Sequence, residues 1–269
     1  MTGTSRRSVL QGIGAGTALL VGGTTAAMAD DHPAAEGGDE AGLRVAHASP
    51  DAPAVDVLVD GAVAVPGLAF GMVTDYLEVP AGEYEVAVNV ADTDTTVFGP
   101  VTLELGAEDY TAVANGEVTS DDTEFTVSVF EDTNGANIGD DEVRLRAVHA
   151  SPDAPTVDVT VDDGALTVFD DVSFGESSGY TVVPAGTYEV EVRPGDGSAP
   201  VFEVPGVELA GGSTYTAFAV GYLTPDDEPT DEAFTLLLIE DASAPPRGGP
   251  GRGSGPGRGR GRGRGGPGN

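Results

Sequence analysis

The chain of 269 residues contains no cysteine, no tryptophan and no lysine. The absence of cysteine excludes disulfides and thiolate chemistry, so packed cores must supply the stability. Only 3 histidines are present, so imidazole chemistry has few places to act. Without tryptophan, a platform for stacking sugars is disfavoured. After the N-terminal segment no apolar run approaches about 20 residues, so no membrane span is expected in the mature chain.

Negative charge is concentrated in the body of the chain. All 45 acidic residues lie between Asp30 and Asp241, and the net charge is −33. Such a surface repels itself in dilute buffer, whereas at 1 M salt the Debye length is only about 3 Å. The acid excess without lysine resembles proteins of halophilic archaea. A calcium-loaded or simply acidic mesophilic protein is the alternative. Four arginines oppose these acids within the body: Arg44, Arg144, Arg146 and Arg193.

The N-terminus has the features of an export signal. Arg6 and Arg7 precede a glycine-rich uncharged stretch, and small residues at Ala27 and Ala29 fit cleavage after Ala29. The Ser-Arg-Arg-x-x-Leu setting resembles a twin-arginine signal. An ordinary secretory signal, or a chance arginine pair on an anchor helix, is the alternative. We expect residues 1–29 to be a signal peptide and the mature protein to be extracellular or at the cell surface.

The body is an internal duplication. The segment LRVAHASPDAPAVDVLVDG at 43–61 is repeated as LRAVHASPDAPTVDVTVDDG at 145–164, and FTVSVFED at 125–132 returns as FTLLLIED at 234–241. The predicted organisation is a signal peptide at 1–29, an acidic linker at 30–42, a first repeat at 43–132, a linker at 133–142, a second repeat at 143–241 and a disordered tail at 242–269.

Within each repeat the apolar residues alternate with a period of two, which is typical of half-buried strands. Tyr84, Val86 and Val88 share one face, and Glu83 and Glu85 share the other. Short runs of this kind, bounded by Gly, Pro and Asp, indicate a β-sandwich. The sequence therefore predicts an all-β protein with two tandem immunoglobulin-like or prealbumin-like β-sandwich domains and disordered termini.

The last strand of the second repeat differs from its counterpart in the first. Residues 234–239 read FTLLLI and are apolar on both faces, whereas residues 125–130 alternate with polar side chains. A strand buried on both sides needs a second cover. The neighbouring repeat, another protein or a loop of the same repeat are all consistent with the sequence.

These repeated motifs resemble the family called domain of unknown function 4397. Both copies carry hydrophobic-Arg-x-x-His-Ala-Ser-Pro-Asp-Ala-Pro, then Val-Asp-Val, then a Val-Pro-Ala-Gly-x-Tyr turn. The resemblance covers residues 43–132 and 145–241. It implies a β-sandwich on an exported, often surface-associated protein, and it implies no activity.

The HASPDAP string contains His47 and Asp51 in the first copy and His149 and Asp153 in the second. A Ser-His-Asp or metal-dependent hydrolase would use these residue types. However, Ser49 precedes a proline, which favours extended backbone, and each copy has one histidine where zinc takes three or four ligands. We therefore expect structural corners, or ligand sites, in which the aspartate caps its own turn.

Calcium is the only cofactor for which candidates exist, and no cofactor is expected. Asp92 with Asp94, and Asp132 with Asn134, carry oxygen ligands at alternate positions as calcium loops do. Neither pair completes the calcium-loop string, and acids are abundant throughout this chain. Solvated loop acids are the favoured interpretation.

The tail from residue 245 onwards consists largely of Arg-Gly repeats and has nothing apolar to bury. It is expected to be a flexible tail, with weak contact to polyanions as the alternative. The whole sequence favours an exported, non-catalytic protein for adhesion, ligand contact or envelope structure, whose partner is an unknown surface ligand or envelope component. The alternatives are a metal-dependent hydrolase and a nucleic-acid-binding arm.

We expect the melting temperature of the folded body to rise steeply between low salt and about 1 M salt, because screening removes repulsion among the carboxylates. Thermal melts across a salt series, with and without chelator, measure this dependence. A flat response would contradict the prediction and would indicate carboxylates that are already neutralised.

Overall fold

The computed structural model describes residues 40–120, 123–134 and 138–243. The predicted export signal with Arg6, Arg7 and Ala29, most of the acidic linker, and the Arg-Gly tail from residue 245 lie outside the described residues. Within the described part no helix is long and apolar enough to cross a membrane.

Both repeats are built from strands, with one short 3₁₀ helix at Pro225–Asp227. The first repeat contains β1 Glu40–His47, β2 Val55–Val59, β3 Ala62–Leu68, β4 Leu77–Pro80, β5 Gly82–Val90, β6 Thr96–Leu105, β7 Asp109–Asn115 and β8 Thr126–Asp132. The second contains β9 Glu142–His149, β10 Val157–Val161, β11 Leu166–Val172, β12 Thr181–Pro184, β13 Gly186–Pro194, β14 Phe202–Leu209, β15 Ser213–Val220 and β16 Thr235–Ser243.

Each repeat forms two four-stranded sheets, which confirms the predicted β-sandwich. The order β4-β1-β7-β8 returns as β12-β9-β15-β16, and we call these two the inner sheets. The order β3-β2-β5-β6 returns as β11-β10-β13-β14, and these are the outer sheets. In the immunoglobulin order the first two strands share a sheet. Here β1 and β2 lie in different sheets, so the strand order is not that of an immunoglobulin domain.

The predicted alternation places the core of each sandwich between its two sheets. In the first repeat Val86 and Val88 are buried, and Glu83 and Glu85 are exposed. The first strand begins at Glu40, before the predicted boundary at residue 43, because its first residues pair with β4. The last strand likewise continues to Ser243, past the predicted boundary at residue 241.

A third apolar core lies between the repeats, where the two inner sheets contact each other. Ala46 and Val113 of the first repeat pack there with Val148, Phe218 and Val220 of the second. Val113 and Val148 have no exposed surface. The central strands of the inner sheets, β1, β7, β9 and β15, are therefore largely buried on both faces.

Strand β16 contributes to two of these cores. Leu236 packs in the core of its own sandwich, and Leu237 and Ile239 pack in the core between the repeats. Of the three covers consistent with the sequence, the neighbouring repeat is the one that covers this strand.

The two sandwich cores are not equally well filled. The second contains an apolar cavity of about 290 Å³, and the first contains one of about 30 Å³. Side chains that line the larger cavity lack packing partners on one side, so the second core is less well packed than the first.

Candidate functional site

The imidazole of His47 lies at the end of β1 and is 1% exposed. Its Nε2 is 3.0 Å from the carbonyl oxygen of Pro53, and its ring meets that of Phe70 edge-on, with the centroids 6.4 Å apart. Because a carbonyl oxygen only accepts, Nε2 is the protonated nitrogen. Burial lowers the pKa of His47, so the ring is held neutral.

The second copy repeats this geometry. His149 is 1% exposed, its Nε2 donates to the carbonyl oxygen of Pro155 at 2.9 Å, and its ring meets Phe174 edge-on at 6.1 Å. Its Nδ1 accepts a hydrogen bond from the backbone N–H of Ser151 at 3.3 Å. Burial lowers the pKa of His149 as well.

The carboxylate of Asp51 does not cap its own turn in the way that the sequence predicted. It accepts hydrogen bonds from the backbone N–H groups of Val118 and Thr119 and from the Thr119 hydroxyl, at 2.6–3.0 Å. These donors lie in the loop after β7, far along the chain. Its one contact within the motif is with the Ser49 hydroxyl, at 3.3 Å. The loop needs an acceptor because its own N–H groups have left the sheet.

Asp153 makes the matching contacts in the second repeat. It accepts from the N–H groups of Leu223 and Thr224, each at 2.8 Å, and from the Thr224 hydroxyl at 2.9 Å. The Ser151 hydroxyl donates to the carbonyl oxygen of Gly221 at 2.6 Å and also lies 3.3 Å from Asp153. The hydroxyl is thus directed at a carbonyl and a carboxylate, whereas a Ser-His-Asp arrangement requires it to face the imidazole.

The four calcium candidates are in different environments. Asp94 is exposed. The backbone N–H of Asp92 donates to Asp56 at 3.1 Å. The side-chain amide of Asn134 donates to Asp109 at 2.9 Å. Asp132 is only 5% exposed, so its interpretation as a solvated loop acid is wrong. Across residues 40–120, 123–134 and 138–243, no three His, Cys, Asp or Glu side chains form a metal-binding group.

Sequence reasoning missed the most strongly charged buried cluster. Arg44 and Arg146 are each 1% exposed and lie at equivalent positions of β1 and β9. The Arg44 Nη2 is 2.7 Å from Oδ1 of Asp241 in the second repeat. Arg146 forms the reciprocal ion pair with Asp132 in the first repeat. Each arginine therefore binds the aspartate of the other repeat.

Two threonines connect these crossed ion pairs. The Thr111 hydroxyl accepts from Arg44 Nε at 2.8 Å and from Arg146 Nη2 at 3.1 Å, and it donates to Asp132 at 2.6 Å. The Thr216 hydroxyl makes the matching bonds. It accepts from Arg146 Nε at 2.9 Å and from Arg44 Nη2 at 3.2 Å, and it donates to Asp241 at 2.6 Å. The cluster is thus a closed network with approximate two-fold symmetry.

Two tyrosines complete the network. The Tyr76 hydroxyl donates to Asp132 at 2.6 Å, and its ring lies under the Arg44 guanidinium, 4.9 Å from the centroid. Tyr180 lies 4.8 Å from Arg146 in the same way. Burial raises the pKa of both phenols, so they remain neutral donors. Burial also raises the pKa of Asp241, and Arg44 opposes that shift.

The interface also contains a pair of residues that differ between the repeats. Glu117 and Tyr222 each follow the glycine after the seventh strand of their repeat, and the Tyr222 hydroxyl donates to Glu117 at 2.8 Å. Thr123 donates to the other oxygen of Glu117 at 2.6 Å. Two buried glutamates facing each other would repel. The repeats have therefore become complementary at this position.

The sequence contained a signal for the arginine cluster. Arg44 alternates with Leu43 and Val45, so it lies on the face of β1 that points away from its own sandwich core. Two of the four arginines of a very acidic body occupy this same position in both repeats. Together these facts indicate that the arginine meets an acidic partner on the face of the strand that points away from its own core.

The fold and this interface define a protein of two β-sandwiches joined through buried inner sheets. The family model described as "Domain of unknown function (DUF4397)" matches residues 41–160 and 143–252. The chain belongs to this family.

Among solved structures, the chain is similar to a candidate cell adhesion protein from Bacteroides eggerthii, with 10% identity over 77% of this chain and 98% of that one, and a TM-score of 0.23. A leucine-rich repeat protein from Bacteroides thetaiotaomicron has 13% identity over 69% of this chain and 26% of that one, and a TM-score of 0.20. No curated protein matches the chain.

We predict that Arg146→Met lowers the free energy of unfolding by about 3–5 kcal/mol, because it removes the closest counterion of the buried Asp132 and leaves it only Arg44, whose Nε is 3.9 Å away. Combining it with Asp132→Leu should restore much of the loss, since no buried charge then remains unpaired on that side. Urea unfolding at molar salt measures both effects.

Arg193→Met is the matched control for this prediction. Arg193 pairs with Glu191 of its own repeat; the glutamate side chain is 6% exposed, but the arginine that covers it is 22% exposed, so removing the arginine opens a path for water to the glutamate. A loss for Arg146→Met no larger than the loss for Arg193→Met would contradict the role assigned to the crossed pairs.

We also predict that the two corner histidines make stability depend on pH. Their folded pKa values lie below the ordinary 6.5, so the stability they contribute is present above about pH 6.5 and is lost as pH falls through the lowered values. Each can contribute at most about 1.4 kcal/mol of loss per pH unit below 6.5.

A His47→Gln and His149→Gln double variant isolates this effect. Its free energy of unfolding should fall less than that of the parent between about pH 7.5 and pH 5.5, because carboxylate titration is common to both proteins. Parallel pH profiles for the two proteins would show that the histidines are not held neutral.

Proposed function

We propose that the chain is an exported, non-catalytic β-sandwich protein that works at the cell surface or outside the cell. Its two sandwiches act as one unit that presents loops and sheet edges to a ligand or an envelope component. The main support for the proposal is that the polar side chains that a catalytic site would need are already hydrogen-bonded to other groups of the fold. The imidazoles donate to proline carbonyls, and the motif aspartates bind loop N–H groups.

The interface between the repeats supports the same function. Two crossed ion pairs, two bridging threonines and an apolar core connect the inner sheets. Relative motion of the repeats would break several buried charge contacts at once, which is costly. A unit of this kind suits the display of a surface, whereas a domain-closure mechanism requires a hinge.

The negative charge supports adaptation of the protein to high salt. Because Arg44 and Arg146 are buried, only two body arginines, Arg144 and Arg193, remain to oppose the surface acids. We further propose that the Arg-Gly tail from residue 245 gives loose electrostatic contact with polyanions such as anionic glycans.

Export is tested by expressing the full chain in a cell with a twin-arginine system. We expect the mature protein outside the cell, starting at Asp30, and we expect Arg6→Lys with Arg7→Lys to retain the precursor inside. Arg247→Lys with Arg252→Lys makes the same chemical change outside the signal and should be exported normally. Fractionation and N-terminal sequencing measure both results.

Two outcomes would contradict the proposal at different points. Undiminished export of the Arg6 and Arg7 variant would exclude the twin-arginine route while leaving a surface function intact. An intracellular parent protein that keeps its N-terminus would exclude the surface function. A chain ending at Ser243 that leaves the envelope, when the parent stays, would support the tail contact.

A further inference from the structure

The cavity of about 290 Å³ in the second sandwich is almost wholly apolar. Its lining comes from both sheets, and the polar residues among it are His149, Tyr188 and Glu208. The polar atoms of His149 are bound to Pro155 and Ser151, as described above. The Tyr188 hydroxyl donates to the carbonyl oxygen of Pro184 at 2.7 Å. Water in this cavity would find few partners, and such cavities stay dry.

The first repeat shows that a sandwich of the same fold can have a well-packed core. Its cavity is about 30 Å³ and is lined by residues at equivalent positions. Val45 stands where the second repeat has Ala147, and Leu103 stands where it has Val207. One change runs in the opposite direction, since Leu236 replaces the valine at position 127 of the first repeat.

Two small residues stand side by side on the cavity wall. Ala147 of β9 pairs directly with Ala217 of the parallel strand β15, and both line the cavity. At the equivalent place in the first repeat, Ala112 pairs with Val45. The cavity is therefore wider at this point because the second repeat has Ala147 where the first repeat has Val45.

The cavity reaches the surface. Leu166 of the outer sheet and Leu238 of the inner sheet both line it, and they are 54% and 37% exposed. Glu208 is an exposed lining residue as well. Apolar side chains exposed at the mouth of an apolar space provide a path by which an apolar molecule can enter.

We propose that this cavity is a binding site for an uncharged, predominantly aliphatic small molecule or chain. Its volume of about 290 Å³ is just below the usual range of ligand pockets, about 300–1,000 Å³, and a smaller apolar cavity of about 150 Å³ is sufficient for benzene. Among the described residues that line the cavity, Glu208 is the one acidic residue and no arginine is present, so a buried carboxylate would find no counterion there and an anionic ligand such as a fatty acid is disfavoured. Filling the cavity would also recover contacts that the empty core lacks.

The test uses N-phenyl-1-naphthylamine, a neutral apolar fluorophore, titrated into the full mature chain at molar salt. We expect saturable binding with enhanced fluorescence, displaced by 1-decanol and much less by decanoate. Ala217→Leu should fill the wall and weaken probe affinity about tenfold or more, with an unchanged or higher melting temperature.

Ala112→Leu is the matched control, because it makes the same change at the equivalent position of the well-filled first repeat. It should lower the melting temperature through overpacking and leave probe affinity within about twofold. If Ala217→Leu fails to fold, Ala147→Val with Val207→Leu places first-repeat side chains at the same wall, and the same loss of affinity is expected.

Three results would overturn the proposal. These are the absence of saturable binding by the parent chain, equal probe affinity in the parent and Ala217→Leu, and an equal loss of affinity in Ala112→Leu. Displacement by decanoate as effective as displacement by 1-decanol would exclude the uncharged ligand class.

Discussion

Two buried guanidinium groups face two buried carboxylates from the opposite repeat, and the arrangement of the two sandwiches depends on these crossed pairs. A charge moved from water into a protein interior is stabilised only by close partners and further hydrogen bonds. Thr111 and Thr216 supply those bonds to both sides of the interface. Each repeat therefore contains a buried arginine whose shortest ion pair is with the aspartate of the other repeat, although Arg44 also lies 3.9 Å from Asp132 of its own repeat, and this favours the contact between these two faces.

The same network explains how a strongly anionic chain uses its few arginines. Arg44 and Arg146 are placed where water is excluded and where a lysine could not bind two acceptors in a plane. The Arg144 guanidinium donates to the carbonyl oxygen of Thr133 at the start of the linker, at 3.0 Å, so it holds the linker against the second repeat. The surface acids are left largely unopposed, and salt must screen them.

The two repeats have kept one fold but have diverged in their contacts. Both HASPDAP corners have the histidine-to-proline hydrogen bond through Nε2 and the aspartate bonds to the loop N–H groups. At the interface Glu117 meets Tyr222, which requires two different copies. Inside the sandwiches, the first core is filled and the second retains a cavity. The two copies therefore share the corners that shape the fold and differ in the packing of their interiors.

The amino-acid sequence by itself determined the duplication, the strands and the sandwich class, because the alternation of residues such as Val86 and Val88 is a local property of an extended chain. It also indicated that a strand apolar on both faces required a second cover. Only the tertiary structure decided that the first repeat is that cover, that Arg44 pairs with Asp241, and that Asp51 binds the loop at Val118. These contacts join residues far apart in the chain, and local periodicity contains no information about which distant surface a strand face will meet.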